Sequence, residues 1–191
     1  MILKTPFGRT MWAHLKTATV FSQTGQQTAP TAENPGHYET LLVLDPSDED
    51  TAKFLQGLDV ACREAAEQQG AGQMRDPLYS LSDDVDENKE PTGMKRIKLR
   101  IAAGGEKQGR RWERSVKFFD HNGEVFSPEA ELANGSIIRC SFEPRAYKNM
   151  GVIGVSLRLR AVQVKDAKYY TPAGSDDDFA GESVESESFE F

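Results

Sequence analysis

The sequence predicts a mainly β fold, a five- to six-stranded antiparallel Greek-key barrel with one α-helix inserted after the second strand. Three observations lead there. About six segments alternate apolar with polar residues or are rich in β-branched and aromatic side chains. One segment alone has helical periodicity. The later strands follow one another through turns, without the intervening helices that a parallel sheet needs.

The first strand is expected over Met11–Phe21, where Trp12, His14, Leu15, Val20 and Phe21 are mixed with threonines. Ser22–Pro35 is polar and punctuated by Gly25, Pro30 and Pro35, which predicts a long loop. His37–Leu44 returns to strand character. The turn Asp45-Pro46 leads to Ser47 as the expected helix N-cap, with Asp50 three residues on. Phe54, Leu55, Leu58, Ala61, Cys62 and Ala65 then recur at helical spacing, a helix of about five turns ending near Gln69-Gly70. Residues 71–93 read as loop, with the acid-rich run Asp83-Asp84-Val85-Asp86-Glu87.

Beyond it the period changes to two. Ile97, Leu99 and Ile101 alternate with Arg96, Lys98 and Arg100, giving a half-buried strand with a basic outer face. Gly104–Gly109 reads as a flexible hairpin connection, Trp112–Phe119 as the returning strand and Asp120-His121-Asn122-Gly123 as a turn before a short strand at Glu124–Phe126. Ile138, Cys140 and Phe142 mark the next strand. Arg145-Ala146-Tyr147-Lys148-Asn149 reads as a loop, and Val152–Val164 as a long final strand. Within that strand Val155, Leu157 and Leu159 hold one parity and Val162 and Val164 the other, which predicts a bulge near Ala161. A barrel of the OB-fold type accommodates this order.

The formal charge of −7 is unevenly spread. Ser175–Phe191 carries seven carboxylates and no lysine or arginine, so the rest of the chain is balanced. Residues 92–168 hold 16 Lys or Arg against 8 Asp or Glu, and residues 1–91 hold 7 against 15. A basic half followed by an acidic segment suggests a polyanion-binding surface and an internal competitor for it. The expected organisation is a folded domain over residues 1–172 and a disordered acidic tail over 173–191. Phe179, Phe189 and Phe191 are unexpected in a purely solvating tail and mark it as an interaction device.

Catalytic chemistry is not indicated. The three histidines, at 14, 37 and 121, have no neighbours at metal-ligand spacing, and there is no zinc pattern, nucleophile elbow or phosphate loop. No enzyme activity, metal or cofactor is expected. Cys62 and Cys140 lie far apart within apolar patterns, which favours free thiols in a reducing compartment. No run of 18 apolar residues is present and the first residues lack a signal-peptide pattern, so the expectation is a soluble, cytoplasmic protein without membrane contact.

The basic outer strand faces offer a groove for a phosphate backbone. Arg96, Lys98 and Arg100 share one face, with Arg139, Arg158 and Arg160 on other strands. Lys107, Arg110 and Arg111 sit at the glycine hairpin beside Trp112, and Arg145 and Lys148 flank Tyr147. A ring among cations is the chemistry that stacks unpaired bases. Tyr147 favours that role, whereas Trp12 and Trp112 divide evenly between stacking and core packing.

The order of these features resembles the single-stranded DNA-binding proteins of T-seven-like podoviruses. Tyr38–Pro46 leading to the helix, Ser136–Lys148, Val155–Val164 and the acidic segment ending in Phe191 carry the resemblance. Tyr147 after Pro144 matches an aromatic of the family, Arg139 a basic residue, and Trp12 and His14 the aromatics of the first strand. The loop before Tyr38 lacks the arginine the family carries near Pro35-Gly36, and the tail is shorter. The resemblance implies an OB-fold protein that coats single-stranded DNA in replication, recombination and repair in an infected bacterial cell. It implies tail contacts through Asp176, Asp177, Asp178, Glu187, Glu190 and Phe191 to phage or host DNA polymerase and helicase-primase, and it allows a homodimer. The alternative from another class is an acidic DNA mimic or inhibitor that binds no DNA itself.

Overall fold

The computed structural model describes residues 1–21 and 26–170; the acidic tail expectations, including those on Asp176, Asp177, Asp178, Glu187, Glu190 and Phe191, lie outside the described residues. The elements in chain order are β1 (Leu3–Lys4), β2 (Gly8–Phe21), β3 (Gln27–Thr28), β4 (His37–Leu44), α1 (Glu49–Glu67), β5 (Gln73–Met74), β6 (Leu81–Val85) and β7 (Pro91–Ala102). They continue as β8 (Gly104–Lys107), β9 (Arg110–Glu113), β10 (Lys117–Phe119), β11 (Val125–Phe126), β12 (Ile137–Asn149) and β13 (Val152–Asp166).

Five long strands close an OB-fold barrel. β2 pairs with β4 and β4 with β7, both antiparallel; β7 meets β13 in parallel, β13 returns antiparallel to β12, and β12 closes on β2 through Ile137↔Arg9 and Ile138↔Gly8. The approach of β2 to β4 beside that closure needs a glycine: a Cβ on Gly8 would lie 2.6 Å from the Val43 carbonyl oxygen. Period-two patterning points Leu42 and Leu44 of β4, Ile97 and Leu99 of β7, Cys140 and Phe142 of β12, and Leu157 and Leu159 of β13 into one buried core. α1 packs Leu58, Cys62 and Ala66 against that core, and the Phe54 ring meets Phe142 edge-on at 6.2 Å. Burial pushes both Cys62 and Cys140 thiols up to about 12, with Asp59 adding to the effect at Cys62, so neither is a reactive thiolate.

The structure corrects several local expectations. The helix cap is Asp48, whose Oδ2 accepts from the Thr51 amide at 2.8 Å. Ser47 is taken instead by Asp45, whose Oδ1 accepts from both its amide and its hydroxyl. Residues 71–93 are not wholly loop, because β6 pairs antiparallel with β7. The acids of β6 suggest solvent, but Asp84 points inward, 2% exposed, and is paired with Arg96 and Arg9. Arg145–Asn149 is strand as well: β12 runs to Asn149 and turns through Met150-Gly151, both at positive φ. The glycine segment is itself the two-stranded β8–β9 hairpin, turning at Gln108-Gly109. The returning strand breaks into β9 and β10, the latter running parallel to β13. The bulge lies where the parity slips: Ser141 pairs with Ala161 and Phe142 with Leu159, leaving Arg160 extra. A second shift, between Ile137 and Ile138, leaves Lys165 extra.

Candidate nucleic-acid interface

The outer face of β4 and β7 is the second-and-third-strand face on which OB-folds take oligonucleotides, flanked by the loops after the first and fourth barrel strands. Register places a lateral row across it: His14 of β2 opposite Glu39 of β4, Glu39 opposite Arg100 of β7, and Arg100 beside Arg158 of β13. Glu39 is nearly buried and its Oε1 lies 2.8 Å from Lys98 Nζ, so the Lys98 charge is largely neutralised. Arg100 is exposed and forms no ion pair among the described residues.

Two clefts meet at Lys98 and Arg100. One, of about 550 Å³, adds Trp12, His14, Phe21 and His37; the other, of about 220 Å³, adds Arg75, Tyr147 and Ser156. Together they make a groove with rings at both ends and cations between.

Trp12 stands at the first end because β2 is interrupted there. Its φ is 47°, its amide donates to Asn134 Oδ1 at 2.7 Å instead of to the ladder, and the ring is 55% exposed. The Arg96 guanidinium lies 5.9 Å from that ring. His14 and Phe21, both of β2, meet edge-on at 5.7 Å.

Tyr147 stands at the second end, 41% exposed, paired across strands with Gly154. A Cβ on Gly154 would lie 2.6 Å from the tyrosine ring, so the ring rests directly on glycine backbone. The Arg75 guanidinium donates to its hydroxyl oxygen at 3.3 Å. That geometry fixes one face and leaves the other for a base.

The other sequence-derived candidates divide by place. Arg96 adjoins the groove, but its Nε donates to Asp84 and its guanidinium also bonds the Val85 carbonyl. Lys107, Arg110, Arg111 and Trp112 stand on the β8–β9 hairpin, where Trp112 packs on Gly105 with the Arg114 guanidinium 4.7 Å over its ring. Burial, and then the charge of Arg158, lowers the pKa of Arg114; its closeness to Arg158 links the hairpin to the Arg100 row. Arg145 pairs with Glu143 at 3.2 Å, and Lys148 Nζ donates to the Ala71 carbonyl. Arg139 and Arg160 line a different cleft and are not brought to the groove.

Sequence reasoning missed Phe21, His37 and Arg75 at this site, whereas it places Arg158 on the basic strand faces. His37 was legible from parity, since it shares the strand face of Glu39; Arg75 lies in a segment with no periodic signal. Burial, then the charges of Arg100 and Lys98, hold the His37 imidazole below its usual 6.5, against the opposing pull of Glu39. A phosphate held in the groove would favour the imidazolium, so binding of a polyanion there is expected to take up a proton. Affinity is therefore expected to rise as pH falls from 7.5 through the region below 6.5, and His37→Gln should remove that part of the slope. Anisotropy titrations of labelled oligothymidylate at fixed salt measure it.

Comparison with solved structures gives the fold a context. The chain resembles gp2.5, a single-stranded DNA binding protein encoded by bacteriophage T7, with a TM-score of 0.63 and 17% identity over 100% of this chain and 99% of that one. It resembles the single-stranded DNA-binding protein from bacteriophage Enc34, solved in complex with ssDNA, with a TM-score of 0.64 and 15% identity over 91% and 89%. The C-terminal truncation of the Enc34 protein matches at 0.60 and 15% identity, over 87% of both chains. At such identities the likeness is one of fold. No family model and no curated sequence matches.

Proposed function

We propose that the chain is a non-sequence-specific single-stranded DNA-binding protein that coats ssDNA during phage DNA replication, recombination and repair in the cytoplasm of an infected bacterium. The observation that carries this reading is the groove on β4 and β7, with exposed Trp12 and Tyr147 at its ends and, between them, Arg100, which has no ion pair among the described residues. Rings stack bases of any identity, and cations follow the phosphates, which gives affinity without sequence preference. The β8–β9 hairpin, with Lys107, Arg110, Arg111 and Trp112, extends the path beyond Arg158. The full-length likeness to phage proteins that bind ssDNA supports it. Gel shifts with single- and double-stranded oligonucleotides test it; equal affinity for both would overturn it.

Residues 1–172 form the DNA-binding domain in this reading, and residues 173–191 an acidic tail that competes for the groove and recruits replication proteins, a DNA polymerase and a helicase-primase. The support is charge: seven tail carboxylates against a surplus of eight bases in residues 92–168. Deleting Ser175–Phe191 is expected to tighten ssDNA binding by roughly tenfold at low ionic strength, with the gain vanishing as salt screens the competitor. A salt titration of both chains measures this, and a gain independent of salt would contradict competition.

A further inference from the structure

A second cleft, of about 670 Å³, shares no lining residue with the groove. Ile2 and Lys4 border it on one side and Phe119, Arg139 and Arg160 on the other. Both bulges of β13 serve this region. Each leaves a cation as the extra residue, Arg160 at one and Lys165 at the other, and bulges are a device for re-aiming side chains next to sites. Arg139 lies between them on β12. Its guanidinium is 4.9 Å over the Phe7 ring, and Lys165 Nζ approaches the same ring at 5.6 Å. Arg139 donates to neutral Gln163 Oε1 at 2.7 Å, and Arg160 lies 4.0 Å from Glu143, a carboxylate it shares with Arg145. Lys4, Arg139 and Lys165 form no ion pair among the described residues. The site is a hollow that mixes apolar Ile2, Phe119 and Val162 with polar groups, bordered by Lys4 and Arg139, which form no ion pair among the described residues, and by Arg160; it suits a ligand that is both aromatic and anionic.

We propose that this cleft seats the Phe189-Glu190-Phe191 segment of the same chain. The segment has that chemistry, and the 21 residues after Tyr170 contain seven carboxylates and no base. Reach is ample, since 21 residues span up to roughly 70 Å. The described chain ends at Tyr170, beside Trp12 and His14, so the segment must cross from there to the cleft, well within that span. A tethered ligand of this kind acts at an effective concentration in the millimolar range. The cleft is bounded and discontinuous with the groove, which suits a short peptide anchor better than an extended strand of DNA. This seat is additional to competition for the groove and does not depend on it, for it holds the aromatic tip while the remaining acids stay available.

The full-length chain with p-benzoylphenylalanine replacing Phe191, irradiated at low concentration and mapped by mass spectrometry, tests this. Crosslinks are expected within one chain, to residues 2–4, 119–123 or 160–163. They should fall by about tenfold when Lys4→Glu and Arg160→Glu are combined, a loss of about 1.4 kcal/mol, while the same variant shifts ssDNA as the parent does. The proposal is overturned by crosslinks to Trp12, His37 or Tyr147, by crosslinks only between chains, by none at all, or by a yield that the double substitution leaves unchanged. Displacement of the crosslink by oligothymidylate, with no crosslink gained elsewhere, would assign the cleft to nucleic acid and overturn it too.

Discussion

Replacing Tyr147 with alanine is expected to weaken ssDNA binding by roughly 1–3 kcal/mol while leaving the salt dependence of binding unchanged. The ring is held on one face by the backbone of Gly154 and at its hydroxyl by Arg75, so little freedom is lost when a base stacks on the other face. Stacking releases no counterion, whereas a phosphate contact does. Arg100→Ala should therefore behave differently, lowering the slope of log affinity against log salt by about 0.7. Gly154→Val separates the ring's presence from its placement. The added side chain must displace a ring that leaves no room for even a Cβ, so affinity should fall toward that of Tyr147→Ala although the phenol remains. Anisotropy titrations of one oligothymidylate over a sodium chloride series read all three variants. An equal slope change for Tyr147→Ala and Arg100→Ala would mean that the tyrosine acts by positioning Arg75 against phosphate.

The contrast between those residues shows what the sequence makes legible. The strand carrying Lys98 and Arg100 is unambiguous, because inward Ile97, Leu99 and Ile101 fix which side faces out. The bulge near Ala161 is legible for the same reason, as a break in that alternation. Which outward cations are free is not legible, because it depends on partners distant in sequence. Lys98 is claimed by Glu39 and Arg96 by Asp84, while Arg100 on the same face forms no ion pair among the described residues. Arg139 has the right chemistry and parity, but the coiling of β12 places it in the second cleft while Tyr147, eight residues on, reaches the groove. Trp12 departs from alternation altogether, since its left-handed backbone and its bond to Asn134 depend on a loop more than a hundred residues away. The β6 acids mislead because an inward carboxylate met by arginine has the same composition as a solvated loop.

Asp84→Asn is expected to cost about 3 kcal/mol of folding stability, at the lower end of what breaking one side of a buried pair costs. Asp84 is 2% exposed, and the Arg96 side chain is 14% exposed. The substitution leaves Arg96 desolvated beside a neutral amide, leaves one side-chain oxygen to serve both Arg96 and the Thr92 hydroxyl, and removes the charge partner of Arg9. Burial alone would raise the Asp84 pKa, but the hydrogen bonds from Thr92 and Arg96, with the charges of Arg96 and Arg9, outweigh it and hold the carboxyl below 3.8. Its contribution is thus complete above the unfolded value near 3.8 and is lost as pH falls through the lower folded value. In urea denaturation the parent should lose stability over that acid window, and Asp84→Asn should show a lower, flatter profile there. Arg96→Met combined with Asp84→Leu should recover much of the loss, because it removes both desolvated charges together. The effect on DNA should be small by comparison: Arg96 touches the groove only beneath Trp12, and β4, β7 and Tyr147 are positioned by the barrel ladder itself. Unchanged stability in the single variant, with an unaltered acid profile, would mean that the pair only balances its own desolvation and that β6 is held to the barrel by its backbone pairing with β7.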